Sequence, residues 1–171
     1  QGKGRLLPVA QGLFGGEARF LILASGVLLA HFLAHRFQYQ YVAEYSSRDL
    51  PLFYLVSAFW AGQEGTFLLW AAFGAITGLF LMRSAREMEP GAMGVYGAIQ
   101  SFLLLILVKR GPFLLLPEVP EDGRGLNPLL QDPWMVVHPP ALFLGYVLLA
   151  VPFAFALGGL LKGDKDGWVK R

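Results

Sequence analysis

The chain has 171 residues, no cysteine and a formal net charge of +2; 55% of its residues are hydrophobic and only 15% are charged. Because soluble domains carry about a quarter charged residues, this composition favours a membrane protein. The absence of cysteine excludes disulfides, thiolate metal sites and thiol redox chemistry within the chain. The basic residues stand at the ends of apolar runs instead of forming a stripe, so we expect no nucleic-acid binding.

Four apolar runs are long enough to cross about 30 Å of hydrocarbon. The predicted spans cover about residues 19–35, 52–82, 92–109 and 140–161. The Gly62–Gly65 interruption leaves two structures open for the second run, namely a helix that begins above the membrane surface or a short surface segment before the true span. The sequence therefore predicts an all-α, polytopic transmembrane helix bundle embedded in a lipid bilayer.

Residues 110–138, before the fourth span, are too rich in Pro and Gly for a spanning helix. We expect a structured outer loop on the membrane surface there. Cytoplasmic segments of membrane proteins carry an excess of Lys and Arg. A cytoplasmic N-terminus places nine of the fourteen Lys and Arg residues inside and five outside, the outer ones being Arg36, Arg48, Lys109, Arg110 and Arg124. This bias predicts cytoplasmic termini and an outer position for the loop.

His138 stands where this loop meets the fourth span, directly before Pro139 and Pro140. A neutral imidazole is a good ligand for haem iron, and the two prolines restrict the backbone that carries it. The alternative is an interfacial histidine that caps a helix. The residues by themselves leave both interpretations open.

The Trp60–Trp70 stretch places the carboxylate of Glu64 within or beside a membrane span. A charge in mid-bilayer costs several kcal/mol, so such a residue usually has a partner or a role. At a helix N-terminus on the membrane surface, the same carboxylate would instead complement the helix dipole, and the tryptophans would belong to the interfacial belt. Both interpretations remain open.

Two further sets of residues are less specific. His31 and His35 lie four residues apart on one helical face, but two side chains do not make a metal site, and neither is predicted to be a ligand. Lys109, Arg110 and Arg124 give the outer loop positive charge that could pair with haem propionates, or could be ordinary charge at a helix end.

Two long motifs follow each other in the chain. The first comprises Tyr41–Ser46, Leu50-Pro51 and Trp60–Trp70, and the second comprises Leu126–Pro133, His138-Pro139-Pro140 and Gly145-Tyr146. Together they resemble the CcmF/CcsA type of cytochrome c haem lyase, and the CcmF proteins above all, over about residues 36–161. The sequence departs from the family pattern at Trp134, where glycine is more common, and at Gln63, where histidine is also common.

The resemblance implies that residues 1–171 are the N-terminal transmembrane segment of a longer CcmF-like protein, before its tryptophan-rich WWD signature. It implies a haem lyase complex in the bacterial inner membrane. There, haem b from the haem chaperone CcmE would be held on the periplasmic face with His138 as an axial iron ligand. The haem would then be joined to the CxxCH thiols of apocytochrome c with help from a CcmH-type subunit. The second axial ligand and a further haem site would lie outside this chain.

The resemblance also implies residues that support the haem site, and no catalytic residue is assigned. The supporting residues are Trp60, Gln63, Glu64, Trp70, Asn127, Gln131, Asp132, Trp134, Pro139 and Pro140, with Arg110 and Arg124 as candidates for the propionates. Related nitrite-reductase haem lyases share both motifs. Other interpretations are a haem-delivery protein of the CcmC or CcsA kind, a proton- or quinone-linked transporter subunit in which Glu64 relays protons, and a purely structural assembly subunit.

Overall fold

The computed structural model describes residues 3–84 and 90–163. In chain order, its elements are α1 (Lys3–Leu33), α2 (Gln40–Tyr45), α3 (Leu52–Ser57), a 3-10 helix (Ala58–Trp60), α4 (Gln63–Ser84), α5 (Pro90–Lys109), a second 3-10 helix (Pro128–Leu130) and α6 (Pro133–Lys162). One isolated antiparallel bridge joins Tyr39 and Leu115. The predicted all-α fold is confirmed for the described part of the chain.

Four helices are long and apolar enough to cross a membrane, and they cover Val9–Leu33, Gln63–Met82, Pro90–Lys109 and Pro133–Lys162. Each contains at least the number of residues that about 30 Å of hydrocarbon requires. The protein is therefore a multi-pass membrane protein, and the prediction of four spans is confirmed. The first helix begins earlier than predicted, at Lys3, because the charged residues Glu17 and Arg19 interrupt the apolar run without interrupting the helical backbone.

The prediction that residues 52–82 form one span is wrong at its start. Helix α3 and a 3-10 helix precede the spanning helix α4, which begins at Gln63. The helix is interrupted because the Gly62 N–H donates to the hydroxyl of Tyr41, at 2.9 Å, instead of to a helical carbonyl. Of the two structures that the sequence leaves open, the short segment before the true span is the one observed.

The prediction that the fourth span opens at Pro139-Pro140 is also wrong, since α6 begins at Pro133. Asp132 caps this helix, and its Oδ1 accepts a hydrogen bond from the Trp134 N–H at 2.8 Å. Pro133 suits the first helical position because its missing N–H would have no partner there. The loop therefore ends at Asp132, and His138 lies in the second turn of α6.

Helix α4 occupies the centre of the bundle and contacts α1, α5 and α6. Side chains of α5 bond to its backbone: the Tyr96 hydroxyl donates to the Gly74 carbonyl at 2.8 Å, and Gln100 donates to the Ala71 carbonyl at 3.1 Å. Such hydrogen bonds and small residues at helix crossings hold membrane helices together. They fix the orientation of the helices that carry the site.

Residues 34–62 and 110–132 lie together at one end of the bundle, here called the loop end. The Gln40 N–H donates to the Leu114 carbonyl at 2.8 Å, and the Arg124 N–H donates to the Ala43 carbonyl at 2.7 Å. The Arg48 N–H donates to a carboxylate oxygen of Asp122 at 2.9 Å. These contacts bring the two sequence motifs to the same end of the molecule.

Candidate functional site

His138 has an exposed side chain in the second turn of α6. Within the part of the chain that the structure describes, its imidazole has no hydrogen-bond or ion-pair partner. Trp134 and Leu142, one turn before and one turn after it, are also exposed, and 77% of the Trp134 surface is accessible. Residues four apart share a helix face, so His138 stands on an apolar face with its ring nitrogens free to bind an external group.

Trp60 connects the 3-10 helix before α4 to the start of α6. Its indole N–H donates to the backbone carbonyl of Val136 at 3.1 Å. Val136 is buried and lies two positions before His138. The structure therefore brings Trp60, which the sequence assigned to the supporting site, to the backbone that carries His138.

Three other residues assigned to the supporting site shape the loop before α6. Asn127 caps the 3-10 helix, with its Oδ1 accepting from the Leu129 N–H at 3.0 Å. The Gln131 amide donates to the Leu126 carbonyl at 2.9 Å, and Asp132 caps α6. The polar side-chain atoms of these three residues form hydrogen bonds to nearby backbone, so they stabilise the conformation in which the loop leads into α6.

Trp70 packs α4 against α6 within a cluster of aromatic rings. Its ring centroid lies 5.5 Å from that of Phe143 and 5.6 Å from that of Tyr146, both on α6. Phe67, which lies on α4 like Trp70, stacks on the Trp70 ring with a centroid distance of 6.4 Å. Offset and tilted aromatic pairs of this kind add to the energy of burial, so Trp70 stabilises the helix pair beneath His138.

A cavity of about 590 Å³ opens at the loop end. It is lined by Gln40, Tyr41, Glu44, Glu64 and residues 107–114, which include Lys109 and Arg110. Glu64 lies in the first turn of α4, where a carboxylate complements the helix dipole. Gln63, the first residue of that helix, is exposed. The cavity combines both signs of charge, and His138 is not among the residues that line it.

Arg124 lines a second, smaller cavity of about 230 Å³ together with Glu44, Glu118 and Asp122. The two arginines that could pair with propionates therefore belong to different cavities, and Glu44 lines both. His138 does not line the second cavity either. The structure brings Glu64 and Arg110 to one cavity and Trp60 to the base of His138, but it does not unite these two groups.

Sequence reasoning missed two residues that organise the loop end. The buried hydroxyl of Tyr41 donates toward two backbone carbonyls, that of Phe59 at 3.1 Å and that of Gly62 at 3.2 Å. Arg48 donates through Nε to the Glu121 carbonyl at 3.3 Å, and its guanidinium lies 5.5 Å from the ring centroid of Phe37. Their only signal in the sequence is their place in or beside the first motif.

The two histidines at the end of α1, His31 and His35, lie in different environments. His31 stacks on Tyr39 with a centroid distance of 4.2 Å. His35 adopts a positive φ of 48° where α1 ends, and its buried Nδ1 has no hydrogen-bond partner within the described part of the chain. Among the described residues, no group of three or more His, Asp and Glu side chains could hold a metal ion.

Comparison with known proteins matches residues 60–168 to a family described as cytochrome C assembly protein. The chain belongs to the cytochrome c assembly protein family. It is 40% identical to the cytochrome c-type biogenesis protein CcmF of Pseudomonas fluorescens over 171 residues, which cover 96% of this chain and 26% of the relative. The corresponding protein of Escherichia coli is 39% identical, with 85% and 23% covered.

A third relative in the cytochrome c assembly protein family is the cytochrome c-type biogenesis protein NrfE of Haemophilus influenzae. It is 36% identical, and the match covers 87% of this chain and 24% of the relative. The chain thus spans about a quarter of the length of these curated relatives. No solved structure matches it. The CcmF-type resemblance inferred from the two motifs is confirmed.

Proposed function

We propose that this chain forms the part of a cytochrome c haem lyase that presents His138 to haem iron. The observation that carries the proposal is the exposed imidazole of His138 on a helix start that is fixed by Asp132 and Trp60. Relatives that are 36–40% identical are named cytochrome c-type biogenesis proteins. A role in cytochrome c maturation follows for the longer protein that this chain matches in part.

The residues around His138 fit a haem group. Haem needs a nitrogen ligand for its iron and apolar contact for its macrocycle. His138 offers an imidazole without a partner among the described residues, and the exposed Trp134 and Leu142 lie on the same helix face. When bound, haem b supplies the iron centre and the vinyl groups to which the thiols of apocytochrome c add.

The part played by this chain is binding and positioning. His138 would hold the iron through an imidazole nitrogen, and the fixed start of α6 sets the direction of that ring. Arg110 and Arg124 are exposed guanidinium groups at the loop end and are the candidates for pairing with the propionates. A second protein ligand to the iron would come from outside these 171 residues, since His31 is stacked on Tyr39 and His35 is partly buried.

The loop end faces the periplasm in this proposal, and the protein lies in the bacterial inner membrane. The distribution of Lys and Arg favours this orientation, because cytoplasmic segments carry the excess of positive charge. Haem would come from the haem chaperone CcmE, and a CcmH-type subunit would bring apocytochrome c. Both would approach the side that exposes His138.

The proposal is tested by the haem content and optical spectrum of the full-length protein, purified with its haem donor. We expect His138→Ala to remove the low-spin haem signal that is acquired from the donor, because one axial ligand is lost. His31→Ala is the matched control, since it removes an imidazole from the same end of the bundle, and we expect it to retain haem. Haem content and spectrum that are unchanged in His138→Ala would contradict the ligand assignment.

A further inference from the structure

Helix α6 contains two consecutive prolines, Pro139 and Pro140, immediately after His138. Neither has an amide N–H, so the carbonyls four positions earlier, those of Met135 and Val136, lose their usual helical donors. Backbone carbonyls that are withdrawn from water need another partner. The Val136 carbonyl has one, because the indole N–H of Trp60 donates to it at 3.1 Å.

We infer that Trp60 is a positioning residue for His138: its indole N–H replaces the amide that Pro140 lacks and holds the first two turns of α6 in place. The importance of this for haem rests on the proposed function, whereas the hydrogen-bond substitution does not. Missing helical hydrogen bonds at prolines are where helices bend. Residues 133–138 would thus form a hinged segment, and Trp60 would anchor it to the body of the bundle.

Trp60 can act as an anchor because its own position is fixed from two sides. Its carbonyl accepts a hydrogen bond from the Thr66 hydroxyl of α4 at 3.0 Å. The carbonyl of its neighbour Phe59 accepts from the Tyr41 hydroxyl of α2 at 3.1 Å. Phe59 is buried, and its carbonyl packs so closely on Gly65 that a Cβ there would overlap it.

The anchor acts close to the histidine. Val136 is 7% exposed and lies two positions before His138. Its N–H bonds to the Asp132 carbonyl at 3.1 Å, inside the capped first turn, while its carbonyl bonds to Trp60. Residues 133–138 are therefore attached at two points, through the Asp132 cap to the loop and through Val136 to the 3-10 helix before α4. The direction of the His138 imidazole depends on both attachments.

The inference is tested with a double-mutant cycle, because Pro140→Ala returns an amide to the helix opposite the Val136 carbonyl. Hydrogen exchange of the amides of residues 134–138 is measured by mass spectrometry in the full-length protein, in lipid nanodiscs without haem. Trp60→Phe retains a ring but lacks the N–H, and we expect exchange to become about five-fold faster, the effect of losing one hydrogen bond. In Trp60→Phe/Pro140→Ala, we expect wild-type protection to return.

Trp70→Phe is the matched control, since Trp70 also contacts α6 but does so through ring contacts with Phe143 and Tyr146. It should leave the exchange of residues 134–138 at the wild-type rate. Wild-type protection in Trp60→Phe would overturn the inference. So would a double variant that stays as unprotected, or as poorly folded, as Trp60→Phe alone.

The same variants are then loaded with haem from the donor, and their low-spin spectra are recorded. We expect Trp60→Phe to weaken the low-spin signal of the bound haem. The double variant Trp60→Phe/Pro140→Ala should restore that signal. If the exchange cycle behaves as expected while His138→Ala retains its haem, the proposed function fails and the anchoring role of Trp60 stands. If His138→Ala loses haem while the exchange cycle shows no coupling, the anchoring role fails and the proposed function stands.

Discussion

At the scale of single residues, Tyr41 links α2 to the segment before α4 and to α1. Only 4% of its surface is exposed, and its hydroxyl accepts from the Gly62 N–H and donates toward the Phe59 and Gly62 carbonyls. Its ring meets that of Phe32 on α1 edge-on, with centroids 5.8 Å apart. Burial raises the pKa of Tyr41 well above its usual range, so the hydroxyl keeps the proton that it donates.

Removing this hydroxyl gives a prediction at the same scale. Tyr41→Phe retains the ring contacts but leaves the Phe59 carbonyl and the Gly62 N–H without the hydroxyl that they bond, which costs about 1–3 kcal/mol. We expect the midpoint of thermal unfolding in detergent to fall accordingly. Tyr39→Phe is the control, because the Tyr39 hydroxyl has no hydrogen-bond partner among the described residues. Equal midpoints for the two variants would show that the hydroxyl of Tyr41 contributes nothing specific.

At the scale of helices, the four spans could be predicted because length and hydrophobicity are local properties of each run. The start of α6 could not be predicted, because Asp132-Pro133 and His138-Pro139-Pro140 both carry the proline signal of a first turn. The contact that allows the helix to continue through Pro139 and Pro140 joins Trp60 to Val136, which are far apart in the chain. The sequence left the break before α4 as one of two open structures for the same reason, since its cause is the distant Tyr41.

In the candidate site, too, local features could be predicted from the sequence, whereas contacts between distant residues could not. His138 stands out in the sequence because its chemistry is carried by the residue itself and by the two prolines that follow it. The partner of Trp60 does not, and neither does the separation of Arg110 and Arg124 into two cavities. Those facts depend on how residues 34–62 and 110–132 fold onto each other, and no local pattern encodes that arrangement.

The close crossing of α5 and α6 gives a prediction at the scale of helices. A Cβ on Gly158 would lie 2.6 Å from the Ala92 nitrogen and 2.8 Å from the Gly91 carbonyl carbon. Both are backbone atoms, so Gly158→Ala must push the helices apart, and we expect a loss of about 1–3 kcal/mol in the free energy of unfolding. The control is Gly94→Ala on α5, where a Cβ would meet nothing within 4 Å. A Gly158→Ala protein as stable as this control would contradict the observed crossing.

At the scale of the whole molecule, a bundle of four spans carries a loop end whose parts are bonded to one another and to the start of α6. The central helix α4 holds the aromatic contacts under α6 and receives the segment that contains Trp60. The chain covers about a quarter of its curated relatives, and it offers one exposed imidazole at this end. On the proposed function, this part of the protein would support a single haem ligand.

The most direct test of this account is the amount of c-type cytochrome formed in cells whose only copy of the full-length protein carries His138→Ala, with and without added imidazole. We predict that the substitution abolishes cytochrome c formation and that imidazole restores it, because the free ligand can occupy the space of the missing ring. His31→Ala, measured in parallel, should form the wild-type amount. Wild-type cytochrome c formation in His138→Ala without imidazole would contradict the central claim that His138 is an axial ligand to haem.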